Sequence, residues 1–188
     1  MDDLKYLESY KVTIKQYYHT QEARGKELTS PIKCVRDDAW LGEAYYFWFD
    51  LEDAENWGNS SKRGKGFYAI YQSEINLENV LDTVFNEEHY NFWFEQIEKI
   101  ARNIMANTKM KPTLKELNDY IKERGTWDEL HGIRFQDLPI SPDRLLIRPI
   151  EYRYGKMKYF QYRKRIQLAV YNSEIISNFA LLKTAKCI

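Results

Sequence analysis

The chain has 188 residues and no net formal charge, with 28 Lys or Arg against 28 Asp or Glu. That length suits one domain with an ordinary core, no run approaches the roughly 18 apolar residues of a membrane span, and the two cysteines, Cys34 and Cys187, lack the spacing of a metal site. The acidic opening Met1-Asp2-Asp3 is unlike a secretory or transit segment, so the expected location is cytoplasmic, with reduced thiols and no membrane partner.

In chain order, Asp3 to Tyr10 reads as a short amphipathic turn or helix, and Lys11 to Tyr18, with Val12, Thr13 and Ile14, as a strand that His19 closes. A polar connection from Gln21 to Asp38, carrying Gly25 and Pro31, leads to a second strand around Tyr45 to Trp48. A helix from Leu51 to Trp57 follows, ending at Gly58. Asn59 to Gly66 is a loop, Phe67 to Ile75 a strand, and Leu77 to Asp82 turns the chain toward helix. Next, Tyr90, Trp93, Phe94, Ile97, Ile100, Ala101, Ile104 and Met105 recur at spacings of three and four, a helical stripe expected in the core. Thr113-Leu114-Lys115-Glu116 is a capping box with Gly125 as its stop, and Thr126-Trp127-Asp128-Glu129 repeats the box for a shorter helix. Strand character returns from Leu145 to Tyr171, broken by a turn at Gly155, and Ile175 to Leu182 closes as a strand or short helix.

Charge is unevenly spread. Residues 1–58 hold 12 acidic and 7 basic side chains, whereas 144–165 hold 8 basic and Glu151 alone. In that basic stretch Arg153, Lys156, Lys158, Arg163 and Arg165 are interleaved with Tyr152, Tyr154, Tyr159 and Tyr162. Cations for phosphate beside flat faces for bases is the composition that single-stranded nucleic acid needs. A solvated hairpin, or one facing an acidic protein, has the same composition. The 15 Tyr, 9 Phe and 5 Trp favour aromatic-lined pockets or a tyrosine-rich sheet.

Three segments carry candidate chemistry. The first is Tyr17-Tyr18-His19-Thr20. The second is Leu41-Gly42-Glu43-Ala44-Tyr45-Tyr46, where a small-residue turn delivers a ring onto a strand, followed by Ala54 and Trp57 on one helix face. The third is Arg165-Ile166-Gln167-Leu168-Ala169-Val170, where alternation sets Gln167 opposite Ile166 and Leu168. In this order they resemble the three motifs of the ADP-ribosyltransferase superfamily, in the class with His and Tyr as signature residues. Gln167 stands where Glu is commoner, Thr20 where Gly usually follows the His, and Ala44 where a second Gly is usual. Lys65-Gly66-Phe67-Tyr68 is a second glycine turn before a tyrosine and competes with Tyr46 for the second motif. Serine or cysteine nucleophile sites and metal sites find no support: there is no Gly-x-Ser-x-Gly, and His19, His89 and His131 stand far apart.

The resemblance implies an α+β fold, an ADP-ribosyltransferase-like split antiparallel β-sheet, in a single domain over 1–188 with a helical insertion at about 86–135. It implies NAD as co-substrate, with His19, Tyr46 and Gln167 catalytic and His19, Thr20, Tyr46, Trp57 and Tyr68 on the dinucleotide. His19 would bind ribose hydroxyls, Tyr46 would stack on nicotinamide, and Gln167 would accept from the ribose 2′-hydroxyl. Arg165, two places before Gln167, would repel arginine and attract phosphate. With Arg153, Lys156, Lys158, Tyr159 and Arg163 it points to a nucleic-acid acceptor, RNA or DNA, with a protein target as the alternative. Toxin-like members of this kind, in toxin–antitoxin or phage-defence systems, imply a neutralising antitoxin partner. The competing expectation is a non-enzymatic nucleic-acid or protein-binding module of the same fold.

Overall fold

The computed structural model describes residues 14–36, 39, 41–125, 128–137 and 165–188, with the backbone of 150–151 and 157–158. Its elements are β1 (Ile14–Glu22), β2 (Tyr45–Trp48), α1 (Leu51–Ser61), β3 (Phe67–Asn76), β4 (Val80–Asp82), α2 (Glu87–Thr108), α3 (Leu114–Glu123), β5 (Gly132–Asp137), β6 (Ile150–Glu151), β7 (Met157–Lys158), β8 (Arg165–Val170) and β9 (Ile176–Lys186). Seven strands form one sheet in the order β4-β5-β8-β2-β1-β3-β9, antiparallel except for β4 with β5, and β6 pairs with β7 apart from it. The chain is therefore α+β. No described helix is long and apolar enough to cross a membrane.

Alternation along the strands divides the sheet into two faces. Tyr17, Phe47, Ile75, Leu168 and Val170 cluster on one. There Arg134 of β5 is buried, with Nη1 2.6 Å from an Asp82 carboxylate oxygen and Nε donating to the Tyr17 hydroxyl at 2.9 Å. Burial pushes the Tyr17 phenol up to about 12, against the pull of that guanidinium. On the other face α1 sets Ala54 against Trp48, Tyr68 and Ile70. Farther along, α2 and α3 cover Leu81 and Ile133 with Trp93 and Ile121.

Several expected elements differ in extent or kind. The first strand runs on to Glu22, because β3 pairs with it over its full length, so His19 lies inside β1 rather than at its exit. Residues 3–13, expected as a turn or helix and the start of the strand, lie outside the described residues. Helix α1 passes through Gly58 instead of stopping there. The Tyr68 ring lies so close that a Cβ at 58 would sit 2.3 Å from it, so this glycine serves close packing, not termination. Residues 80–82 form β4, beside β5, instead of leading into helix, and β5 occupies part of the stretch expected as a helical insertion. The apolar stripe of α2 is only partly inward: Trp93 is buried and Ile97 and Ile100 pack on the same cluster, while Tyr90, Phe94 and Met105 are each at least 40 % exposed. The Thr113 capping box forms as read, with the Thr113 hydroxyl accepting from the Glu116 N–H and the Glu116 carboxylate accepting from the Thr113 N–H. The second box falls on Thr126 and Trp127, outside the described residues, and Asp128 and Glu129 form a turn.

Candidate active site

The three motif side chains come from adjacent strands β1, β2 and β8. Trp48 of β2 lies opposite Tyr18 on one side and Gln167 on the other. The β1–β2 ladder is a single registered pair, and beyond it β1 follows β3 while β2 follows β8. His19 fills the fork. Its Nδ1 lies 2.9 Å from the Tyr46 carbonyl oxygen and its Nε2 lies 3.4 Å from the Ile32 amide nitrogen. A carbonyl only accepts, so Nδ1 carries the proton and Nε2 accepts from Ile32. Phe47 and Phe179 flank the ring at 5.4 and 6.1 Å. Burial lowers the imidazole from the ordinary 6.5 to about 4; the Tyr46 hydrogen bond opposes that shift and the Lys62 cation reinforces it, so the ring is neutral at pH 7.

A cleft of about 330 Å³ opens at this fork, lined by His19, Thr20, Tyr46, Trp57 and Gln167 among others. The segment around Ile32 to Arg36 forms its far wall, pinned by the backbone bridge between Cys34 and Ala44. Thr20 donates its hydroxyl hydrogen to the Ala54 carbonyl of α1 at 2.9 Å, tying β1 to the helix that presents Trp57. Tyr46 donates from its hydroxyl to the Gly42 carbonyl at 2.8 Å, so the ring is fixed by its own turn. Gly42 takes the left-handed φ of 79° that this turn requires. Gln167 is buried, between the core positions Ile166 and Leu168, and its carboxamide makes no hydrogen bond to another described residue. Among the described residues the lining holds three cations, Lys33, Arg36 and Lys62, and no carboxylate.

Five of the residues expected on the dinucleotide or in catalysis thus share one cleft. Tyr68 does not join them: it is 3 % exposed, packed under α1 against Gly58. Of the two tyrosines that follow a glycine turn, Tyr46 lines the cleft and Tyr68 does not. Arg165 is also not a free phosphate ligand. Its Nε lies 2.8 Å from an Asp137 carboxylate oxygen and its guanidinium stacks over Trp48 at 4.5 Å, which neutralises and occupies the charge. Arg153, Lys156, Tyr159 and Arg163 lie outside the described residues, and Lys158 is described only as backbone of β7. His19 departs from its expected role in that both ring nitrogens already have protein partners, the Ile32 contact being long.

Sequence reasoning missed the cationic wall. Lys33 and Arg36 lay in a stretch read only as a polar connection, and Lys62 in a loop. The one available signal, for Lys33 and Arg36, was the absence of any acid between Glu27 and Asp37, a nine-residue gap holding these two cations. Comparison of the chain with protein-family models, curated proteins and solved structures finds no match, so the functional reading rests on the chemistry of this cleft.

Proposed function

We propose that the chain is an NAD-dependent mono-ADP-ribosyltransferase whose substrate enters the β1–β2 fork. The observation that carries this is the meeting of His19, Tyr46 and Gln167 in one cleft whose described lining includes Lys33, Arg36 and Lys62. Its volume of about 330 Å³ is at the lower end for small-molecule sites, room for the nicotinamide–ribose end of a dinucleotide. Lys33, Arg36 and Lys62 suit the pyrophosphate that follows.

NAD supplies an ADP-ribosyl group on a cationic nicotinamide leaving group: the C1′–N bond breaks with its electron pair going to the ring, the acceptor heteroatom bonds to C1′, and the acceptor's proton passes to solvent. In this reading Tyr46 offers its ring face to nicotinamide, a contact worth about 0.5–1.5 kcal/mol beyond buried area. The neutral Nε2 of His19 exchanges its long Ile32 contact for a ribose hydroxyl. Gln167 accepts from the 2′-hydroxyl and orients the sugar. As an amide it opposes developing positive charge less than a carboxylate would, so positioning carries more of the barrier reduction. The basic, tyrosine-rich stretch 144–164 favours a nucleic-acid acceptor.

The test is nicotinamide release from NAD, measured chromatographically, with RNA, DNA or protein offered. Wild type should release nicotinamide, Gln167→Ala should release at least tenfold less with an unchanged melting temperature, and ADP-ribose should appear on nucleic acid. No release with any acceptor, together with no NAD binding, refutes the enzyme. Binding without release supports the second reading, a non-catalytic module, which the amide at 167 specifically favours.

A further inference from the structure

The Leu41-Gly42-Glu43 turn that carries Tyr46 has a second hollow on its other side, about 200 Å³, between the turn, α3 and the residues after β8. Its floor is apolar: Leu41, Ile121 and Leu130 are each no more than 4 % exposed, and Tyr171 lies among them. Its mouth carries carboxylates from three separate places, Glu43 on the turn, Asp119 on α3 and Asp128 beyond α3, against one cation, Lys122.

We propose that this hollow binds a single ammonium or guanidinium group carried on a short apolar stem. The volume is smaller than the roughly 300 Å³ at which drug-sized sites begin, so it admits a group the size of one side chain. An apolar floor beneath a charged rim suits a stem that buries its methylenes and leaves its head at the mouth. The carboxylates alone would mark only a solvated acidic surface; the enclosed floor below them gives a ligand a place to enter. Two of the three already have lysine partners, Asp119 with Lys115 at 2.6 Å and Glu43 with Lys33 at 3.5 Å. Both pairs are partly exposed, and such pairs are held by only about 0–1 kcal/mol, so an entering cation competes with them readily. Asp128 has no ion pair among the described residues. The hollow's own lining, three carboxylates and one lysine, differs in kind from the lysine- and arginine-bearing lining of the cleft across the turn.

The two sites share hardware. Tyr171 donates to the Leu41 carbonyl at 3.0 Å and Tyr46 donates to the Gly42 carbonyl at 2.8 Å, so one tyrosine from each side holds consecutive carbonyls of the turn. Asp119 reaches the turn closely enough that a Cβ at Gly42 would lie 3.2 Å from its oxygen. A cation drawn to Asp119 therefore touches the element that positions Tyr46. The binding itself does not depend on how the larger cleft is used.

The experiment is calorimetric titration of the full chain with agmatine, with a capped Gly-Arg-Gly tripeptide, and with 1-pentanol as a neutral stem. Agmatine should bind and weaken several-fold between low and high salt, while pentanol should not bind. Asp128→Asn should weaken agmatine at least fivefold and Lys122→Ala, which removes the opposing cation, should tighten it, both with wild-type melting temperatures. Tripeptide binding alongside agmatine identifies a side chain of a protein as the source, and agmatine alone a free amine. Equal binding of pentanol and agmatine, no binding of either cation, or identical affinities in wild type and both variants overturns the proposal. These results are read without NAD, so they stand or fall separately from nicotinamide release.

Discussion

Acid should destabilise this protein through His19 by a calculable amount. The imidazole is 4 % exposed, flanked by Phe47, and held by the Tyr46 carbonyl in its neutral form. In the unfolded chain it takes up a proton near pH 6.5, in the folded protein only near 4, so between these values the unfolded state binds more protons and acid favours it. The stabilisation is complete above pH 6.5, declines as pH falls, and is gone below about 4. At about 1.36 kcal/mol per pH unit that interval is worth about 3 kcal/mol. For a chain of this size the loss corresponds to a fall in melting temperature of roughly 6–12 °C. The assay is urea unfolding at pH 7.0, 5.5 and 4.5 for wild type and His19→Gln, which keeps a side-chain donor for Tyr46. The carboxylates and His89, which is also lowered by burial, are present in both proteins and cancel in the difference. The variant should start less stable at pH 7 and lose about 2 kcal/mol less than wild type on going to pH 4.5. Parallel losses in the two proteins would show that His19 is not the titrating group and that its ring is not held as described.

Gly58→Ala should cost about 1–3 kcal/mol in urea unfolding, because a Cβ 2.3 Å from the Tyr68 ring forces α1 away from the sheet; a neutral effect would mean the ring has free space. Asp82→Ala should cost about 3–5 kcal/mol by leaving the buried Arg134 guanidinium without its carboxylate, and Asp82→Ala with Arg134→Met should recover part of that loss. Thr113→Ala removes the hydroxyl that accepts from the Glu116 N–H, leaving the backbone half of the α3 capping box, and should lower stability by about 1 kcal/mol, visible as a shift in urea midpoint with unchanged slope.

How far the fold could be read from the chain depended on whether a local pattern had a local cause. The Thr113 box is a four-residue device whose partners are all in view, and it formed as written. Strand β3 was legible because Phe67 to Ile75 alternates and is bounded by Gly66. Gly58 was misread because the reason for that glycine, the Tyr68 ring, lies ten residues on and reaches it only through sheet packing. Residues 80–82 were misread for a like reason. Three residues carry too little periodicity to declare a strand, and what makes them one is β5, fifty residues away. On α2 the stripe was real but wider than the face that packs: Trp93, Ile97 and Ile100 meet the core, while Tyr90 and Phe94, turned to one side of that face, stack on each other in solvent at 6.2 Å.

The candidate site shows the same division more sharply. Period-two alternation correctly turned Gln167 away from Ile166 and Leu168, yet by the same rule the Tyr18–Trp48 register puts His19 with Phe47, on the face opposite Tyr46 and Gln167. Two side chains on opposite faces of a continuous sheet cannot share a cavity. They share one here because the ladder between β1 and β2 ends after a single pair, and the imidazole replaces the missing backbone contact by bonding the Tyr46 carbonyl through the gap. A strand pair left open in this way leaves unpaired backbone groups that must find partners, and His19 supplies one within β1 itself. The residue singled out by motif is therefore also the residue that keeps the fork open. It follows that substitution at 19 tests architecture and chemistry together, whereas substitution at Gln167, which makes no hydrogen bond to another described residue, tests chemistry alone.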